Sequence, residues 1–275
     1  MSHYIYYHTG QKPPEYLLDS IQSIKNVEIK ANISLITDQN IMIDGVNVIS
    51  VEKIISKQSK RVMKMKLFKK EVNPLWQVSI FRIFLIRDAI KFLDISSCYH
   101  FDSDVLLFMD SCEFEPTISD FDGLYITPCN KNEYVFGFSR FGSLAKTEAI
   151  CKILYKLIFN PFLRYFYYVD MPNEMQLLAG IAKRKLELIK TLNILPSNGV
   201  NFLFDPSSYG QYFGGTHAGH QPGFTQKSHI IGEQIINENI TPLMIEDKPY
   251  VLKDGKKYPL INLHIHSKKT KLFLK

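Results

Sequence analysis

Across the first 110 positions of the chain, short apolar runs alternate with stretches whose apolar residues recur at helical spacing. That alternation is the pattern of β-α-β units built on a parallel sheet. Tyr4 to Tyr7 predict a first strand that ends in His8-Thr9-Gly10. Pro13-Pro14 open a helix on which Leu17, Leu18, Ile21 and Ile24 share a face. Ile33 to Ile36 predict a second buried strand closed by Thr37-Asp38, and Val46 to Val51 a third. The lysine-rich segment 57–70 is expected to be an exposed helix. Asn73 as N-cap and Pro74 in the first turn start a further helix to about Leu93. It feeds a strand that ends at Asp102-Ser103-Asp104, with the apolar run Val105 to Phe108 directly behind.

Beyond that point the pattern predicts a strand near 123–127, a polar segment from Phe136 to Gly142, and a helix near 143–158. Asp170 as N-cap and Pro172 start another helix to about Lys190. From 192 onward the chain reads as β-rich, with a hairpin at Lys253-Asp254-Gly255 that leads into a strand from Leu260 to His266. No internal repeat or low-complexity linker divides it. The expectation is a single domain over 1–275, an α/β/α sandwich with a mainly parallel sheet and a small antiparallel C-terminal part.

Composition narrows the function classes. Thirty-three basic against 27 acidic residues leave a formal charge of +6, with lysines gathered in 57–70 and 268–275. An anionic partner follows, a diphosphate or an acidic membrane surface, and no nucleic-acid module accompanies the charge. Cys98, Cys112, Cys129 and Cys151 have neither disulfide-framework nor zinc spacing and read as reduced thiols. Met1 to His8 lack the charged and apolar regions expected of a signal peptide, and no apolar run approaches bilayer length. The expected protein is cytoplasmic, soluble or peripheral at a membrane. The aromatic stretch 155–168, with Lys156 and Arg164 interleaved, reads as a second core layer or a subunit contact, with a membrane-surface patch as the alternative.

Asp102 and Asp104 stand at i and i+2. On extended backbone they point to the same side and can close on one divalent ion, Mg²⁺ or Mn²⁺, whose open positions a diphosphate completes. On the helix before them Arg87, Asp88, Lys91 and Asp94 form a water-facing stripe. Arg82 falls on the apolar side and requires an acidic or phosphate partner, either Asp102, Asp104, another carboxylate or a ligand. Near the C-terminus His264 and His266 project to one face of a strand and Leu263 and Ile265 to the other, before Lys268 and Lys269. Imidazoles can complete a metal shell begun by carboxylates, and lysines suit a diphosphate; a solvated basic tail is the alternative. The segment Phe204 to His217 is dense in glycine, aromatics and hydroxyls, as a sugar-contacting loop or a tight structural loop would be. His217 and His220 lack enough further ligands for a site of their own. Glu174, one turn after Asp170, is placed to point at a cleft.

Taken in order, the N-terminal βα units, Phe101-Asp102-Ser103-Asp104-Val105, the segment from Asp170 to Leu178 and the closing Leu263-His264-Ile265-His266-Ser267-Lys268-Lys269 resemble a nucleotide-sugar glycosyltransferase of the GT-A fold. The likeness is to small bacterial or viral polysaccharide transferases, and more distantly to glycogenin and the lipopolysaccharide galactosyltransferases. Those distant relatives end in His-x-x-Gly-x-x-Lys, whereas here Ser267 and Thr270 stand at the glycine and lysine positions. The resemblance implies transfer of a sugar from a nucleoside diphosphate sugar, UDP-linked first among them, to a glycan or lipid-linked acceptor. Residues 1–110 would form the nucleotide-binding half, and 111–275 the acceptor half with the metal and phosphate tail. It implies Mn²⁺ or Mg²⁺ on Asp102, Asp104 and His264 or His266. Donor contacts would come from His8, Thr9, Gly10, Thr37, Asp38, Arg82, Asp102, Ser103, Lys268 and Lys269, and catalytic roles would fall to Asp170, Glu174 and Arg82. A homodimer is compatible with this scheme. The alternatives are a sugar-phosphate nucleotidyltransferase and a catalytically silent protein that keeps the fold.

Overall fold

The structure, a computed structural model, describes residues 2–65, 75–170, 173–216 and 228–274. Asn73, Pro74, Pro172, His217 and His220 lie outside the described residues, as does the end of the first lysine-rich stretch. The N-terminal half runs β1 (His3–Tyr7), α1 (Glu15–Val27), β2 (Asn32–Thr37), β3 (Val46–Ser50), α2 (Val51–Ile54), α3 (Lys57–Met63), α4 (Leu75–Leu93), β4 (Cys98–Phe101) and β5 (Val105–Leu107). A short α5 (Ser111–Phe114) leads to β6 (Leu124–Asn130), β7 (Glu133–Phe141), α6 (Leu144–Phe159), α7 (Pro161–Phe166), α8 (Glu174–Arg184) and β8 (Ile189–Thr191). The chain closes with α9 (Ile230–Ile236), β9 (Thr241–Ile245), β10 (Lys248–Lys253), β11 (Lys256–Pro259) and β12 (Asn262–His264).

The main sheet has the order β3-β2-β1-β4-β7-β6-β8. Every neighbouring pair is parallel except those that β7 makes with β4 and β6, so the sheet is mainly parallel. Side chains alternate across it. Ile5 joins Ile36 and the helices α4, α6 and α8 in one core, while Tyr4 and Tyr6 join Leu17, Ile21 and Ile24 of α1 in the other. A third core gathers the antiparallel sheet β11-β10-β9 with Leu263, Ile265 and Phe273. Asp254 and Gly255, at φ 49° and 76°, make the turn between β10 and β11 at the predicted hairpin.

Several expectations change. Leu18 is exposed, and Ser20 and Ser23 take the buried face of α1, where they hydrogen-bond Tyr6, the Val105 carbonyl and the Leu107 N–H. Val51 begins α2 instead of ending β3. Arg87 and Asp88 are not on a water face: α3 packs over them, and Arg87 binds Asp88, Gln58 and Ser56. The polar segment from Phe136 is part of β7, buried in mid-sheet, because Arg140 finds Glu115 and the Phe121 carbonyl as partners. The helix expected to run to Lys190 stops at Arg184, and β12 is limited to Asn262–His264. The aromatic stretch does not form a core layer as a whole, for Phe162, Tyr165 and Tyr168 are strongly exposed.

Candidate functional site

β4 delivers the aspartate pair. Its last residue is Phe101, after which the chain turns rather than continuing extended, with Val105 N–H donating to the Asp102 carbonyl. The two carboxylates therefore separate. Asp102 binds Arg82 from α4, while Asp104 is directed to the C-terminal segment, where it meets His264 and Lys268. β12 lies antiparallel to β5, opposing His264 to Val105, and this register sets the histidine beside Asp104.

Ligand atoms of Asp104, His264 and His266 all lie within 4.8 Å of one another. Asp102, expected to share that shell, is not one of the three; its Oδ1 pairs with Arg82. It remains adjacent: a β-carbon added at Gly137 would stand 2.8 Å from His264 Nδ1 and 3.3 Å from Asp102 Oδ2. Gly137 thus leaves the room in which both groups sit. The rings of His264 and His266 stack at 4.4 Å. Ser207 Oγ contacts both, at 2.9 Å from His264 Nδ1 and 3.0 Å from His266 Nε2. That contact orients His264 while its Nε2 lies 3.2 Å from Asp104.

Burial alone would raise the Asp104 carboxyl, but the neighbouring His264 and Lys268 outweigh it and hold the group well below the usual carboxylate range. His266 is pushed down to about 4 by burial and by the charge of His264, so it is neutral at pH 7 and able to ligate. Burial raises the carboxyl of Glu174, which Arg82 opposes. Arg82 lies 5.0 Å over the Phe136 ring, and its buried Nε finds no acceptor among the described residues.

Arg82, Asp102, Ser103, Asp104, Glu174, His264, His266 and Lys268 line one cleft of about 540 Å³, together with Ser207, Gln211 and Thr216. Thr9 and Asp38 line a different hollow, of about 750 Å³, with Tyr7 and Lys60. There Gly10 N–H donates to both Asp38 oxygens at 3.0 Å, Thr37 is buried, and His8 Nε2 lies 3.1 Å from the Gln11 carbonyl. Lys269 is outside the cleft, in a hollow against α1 with Lys271. Asp170 does not cap α8; Asn173 does, its side chain accepting from Gln176 N–H, and Asp170 is exposed beside another hollow.

Sequence reasoning missed the residue that organises the loop. Asp205 is fully buried and accepts from the N–H groups of Ser208, Tyr209, Gly210 and His264 at 2.7 to 3.1 Å. Burial raises its carboxyl, and those bonds oppose the rise. An Asp-Pro-Ser run is a loop-capping signal, yet nothing local tells that the fourth donor comes from residue 264.

No protein-family profile matches the chain, and no curated protein matches it. Among solved structures it is similar to mouse xyloside xylosyltransferase 1 in its apo form, at 12% identity and a TM-score of 0.48, over 70% of this chain and 85% of that one. It is also similar to the glycosyltransferase GlyE of Streptococcus pneumoniae, at 13% identity and a TM-score of 0.45, over 70% of this chain and 45% of that one.

Proposed function

We propose that the chain is a metal-dependent glycosyltransferase that moves a sugar from a nucleoside diphosphate sugar, UDP-linked in the first instance, to a hydroxyl of a glycan or lipid-linked acceptor. The observation that carries this reading is the meeting of Asp104, His264 and His266 with two cations, Arg82 and Lys268, in one cleft at the carboxyl end of β4. Open α/β sheets bind ligands at that end.

The donor set fits a divalent ion. One ionised carboxylate and two imidazoles, with one imidazole neutral at pH 7, offer three ligands, and the mixture of oxygen and nitrogen favours Mn²⁺ over Mg²⁺. When bound there, the ion supplies Lewis-acid stabilisation of the departing diphosphate. Two imidazoles and a carboxylate would also hold Fe²⁺, but the adjacent guanidinium and ammonium favour an anionic substrate over dioxygen chemistry.

The chain's own groups then divide the work. Ser207 orients His264, Arg82 and Lys268 place positive charge where the diphosphate leaves, and Asp102 holds Arg82. Glu174, with its raised carboxyl, is suited to hold or accept a proton in the same cleft. Thr9 and Asp38, which Gly10 N–H holds, line the other hollow, where the base and ribose would lie.

The test is a panel of UDP-, GDP- and ADP-sugars assayed for nucleoside diphosphate release with Mn²⁺, Mg²⁺ or chelator. Release that requires Mn²⁺ is expected from at least one donor. Pyrophosphate exchange with a nucleoside triphosphate in its place would indicate a nucleotidyltransferase, and no turnover at all would leave only a binding protein.

A further inference from the structure

The first turn of α8 borders two hollows. Glu174 lines the cleft of the metal ligands, and Gln176 lines a hollow of about 450 Å³ shared with Asn132, Tyr165, Tyr168 and Asp170. That volume lies within the range of small-molecule sites. The two tyrosines are 79% and 65% exposed, which is unusual for large aromatic side chains gathered around one depression.

Their setting is built. Asn160 caps the short helix α7 that carries Tyr165, its side chain accepting from Leu163 N–H. Tyr168 adopts φ 55°, the left-handed backbone that ends α7, where Val169 N–H donates to the Arg164 carbonyl at 3.2 Å. The Arg184 guanidinium stands 4.8 Å from the centre of its ring, so one side of the ring is backed by a cation while most of the residue remains open. Lys183 Nζ donates to Asn132 Oδ1 at 2.9 Å and fixes that amide.

Flat amphipathic rings accept the C–H face of a sugar, and planar amides and a carboxylate accept and donate to its hydroxyl edge. Asp170, exposed in the same hollow, opposes an anionic lipid surface and suits a neutral polyol. We propose that this hollow is a saccharide-binding subsite that holds a sugar unit of an extended glycan acceptor while the reacting hydroxyl lies in the cleft beyond Glu174. Its role as an acceptor subsite rests on the transferase reading; its binding chemistry does not.

A glycan array probed with the labelled full chain tests it, comparing wild type with Tyr165→Ala/Tyr168→Gly, where glycine keeps the left-handed backbone. Wild type should be retained on glycans of several units, and the double variant should bind them about tenfold more weakly or worse, as loss of stacking on two rings would give. Tyr165→Ala alone serves if the double variant melts early. Retention of wild type on no glycan, or equal retention of the variants, overturns the proposal. Binding to phosphatidylcholine/phosphatidylglycerol vesicles that the variants lose, without glycan retention, overturns it in favour of a membrane contact. Metal-dependent UDP-sugar hydrolysis without acceptor reports on the cleft separately: its absence alongside variant-sensitive glycan retention removes the transferase reading and leaves the saccharide site standing.

Discussion

Asp104 is only 3% exposed yet ionised, because two groups from the far end of the sequence, His264 and Lys268, face it. Sequence alone could name those residues, since carboxylate, imidazole and ammonium are the types a metal–diphosphate site needs. It could not assign the partners. The aspartate pair splits at a turn, and only the register of β12 on β5 decides that Asp104 takes the histidines while Asp102 takes Arg82. Arg87 and Asp88 were misplaced for the same reason, as a helical projection cannot know that α3 covers that stripe. Gly137 offers a test at this scale. Gly137→Ala places a methyl 2.8 Å from His264 Nδ1, so the imidazole must shift. Mn²⁺ affinity should fall about tenfold or more, a loss of ~1.4 kcal/mol, measured by calorimetric titration; unchanged affinity would mean that His264 is not a ligand.

The N-terminal β-α-β units were legible because both of their periods are local, and α4 spans the predicted residues as far as Leu93. β7 was not legible, because a strand buried on both faces among aromatics lacks alternation, and its polar Ser139 and Arg140 read as loop until their partners are known. The C-terminal tail also departs from a free basic end. Ile265 and Phe273 are buried, Thr270 Oγ1 donates to Asp19 at 2.6 Å, and Lys271 pairs with Glu15 at 2.8 Å. Truncation after Asn262 would strip the buried Leu263, Ile265 and Phe273, at roughly 1.5–3 kcal/mol each, so it should unfold the third core rather than yield a folded, inactive chain. Lys268→Ala is the informative variant. Lys268 pairs with Asp104 and would compete with a metal there, so its loss should tighten Mn²⁺ alone while weakening UDP in the presence of Mn²⁺ by roughly tenfold. A variant that binds UDP as wild type does would show that Lys268 does not meet the diphosphate.

At the scale of the whole molecule, stability and site share the central strands. His100 on β4 is buried, its Nδ1 lies 2.7 Å from the Ile5 carbonyl, and burial followed by the charge of Arg82 holds it well below the ordinary imidazole value. The folded protein keeps it neutral while the unfolded chain binds a proton as pH falls through about 6.5. Stability is therefore full above that pH and declines below it, by at most ~1.4 kcal/mol per pH unit for this group. His100→Asn, which keeps an N–H donor for the Ile5 carbonyl, should lose about 1 kcal/mol less between pH 7 and 5.5 in urea unfolding; equal slopes would assign the acid sensitivity elsewhere. Among the described residues no helix is long and apolar enough to cross a membrane. The proposed function requires that Asp104, His264 and His266 hold a metal that a nucleoside diphosphate completes. The most direct measurement is calorimetric titration of Mn²⁺ into wild type and Asp104→Asn, each with and without UDP. Wild type should bind one Mn²⁺, more tightly with UDP than without, and Asp104→Asn, which removes charge without volume, should lose on the order of a hundredfold in affinity while melting near wild type. Equal Mn²⁺ binding by the two proteins, or no coupling to UDP in wild type, would rule out this metal–diphosphate site.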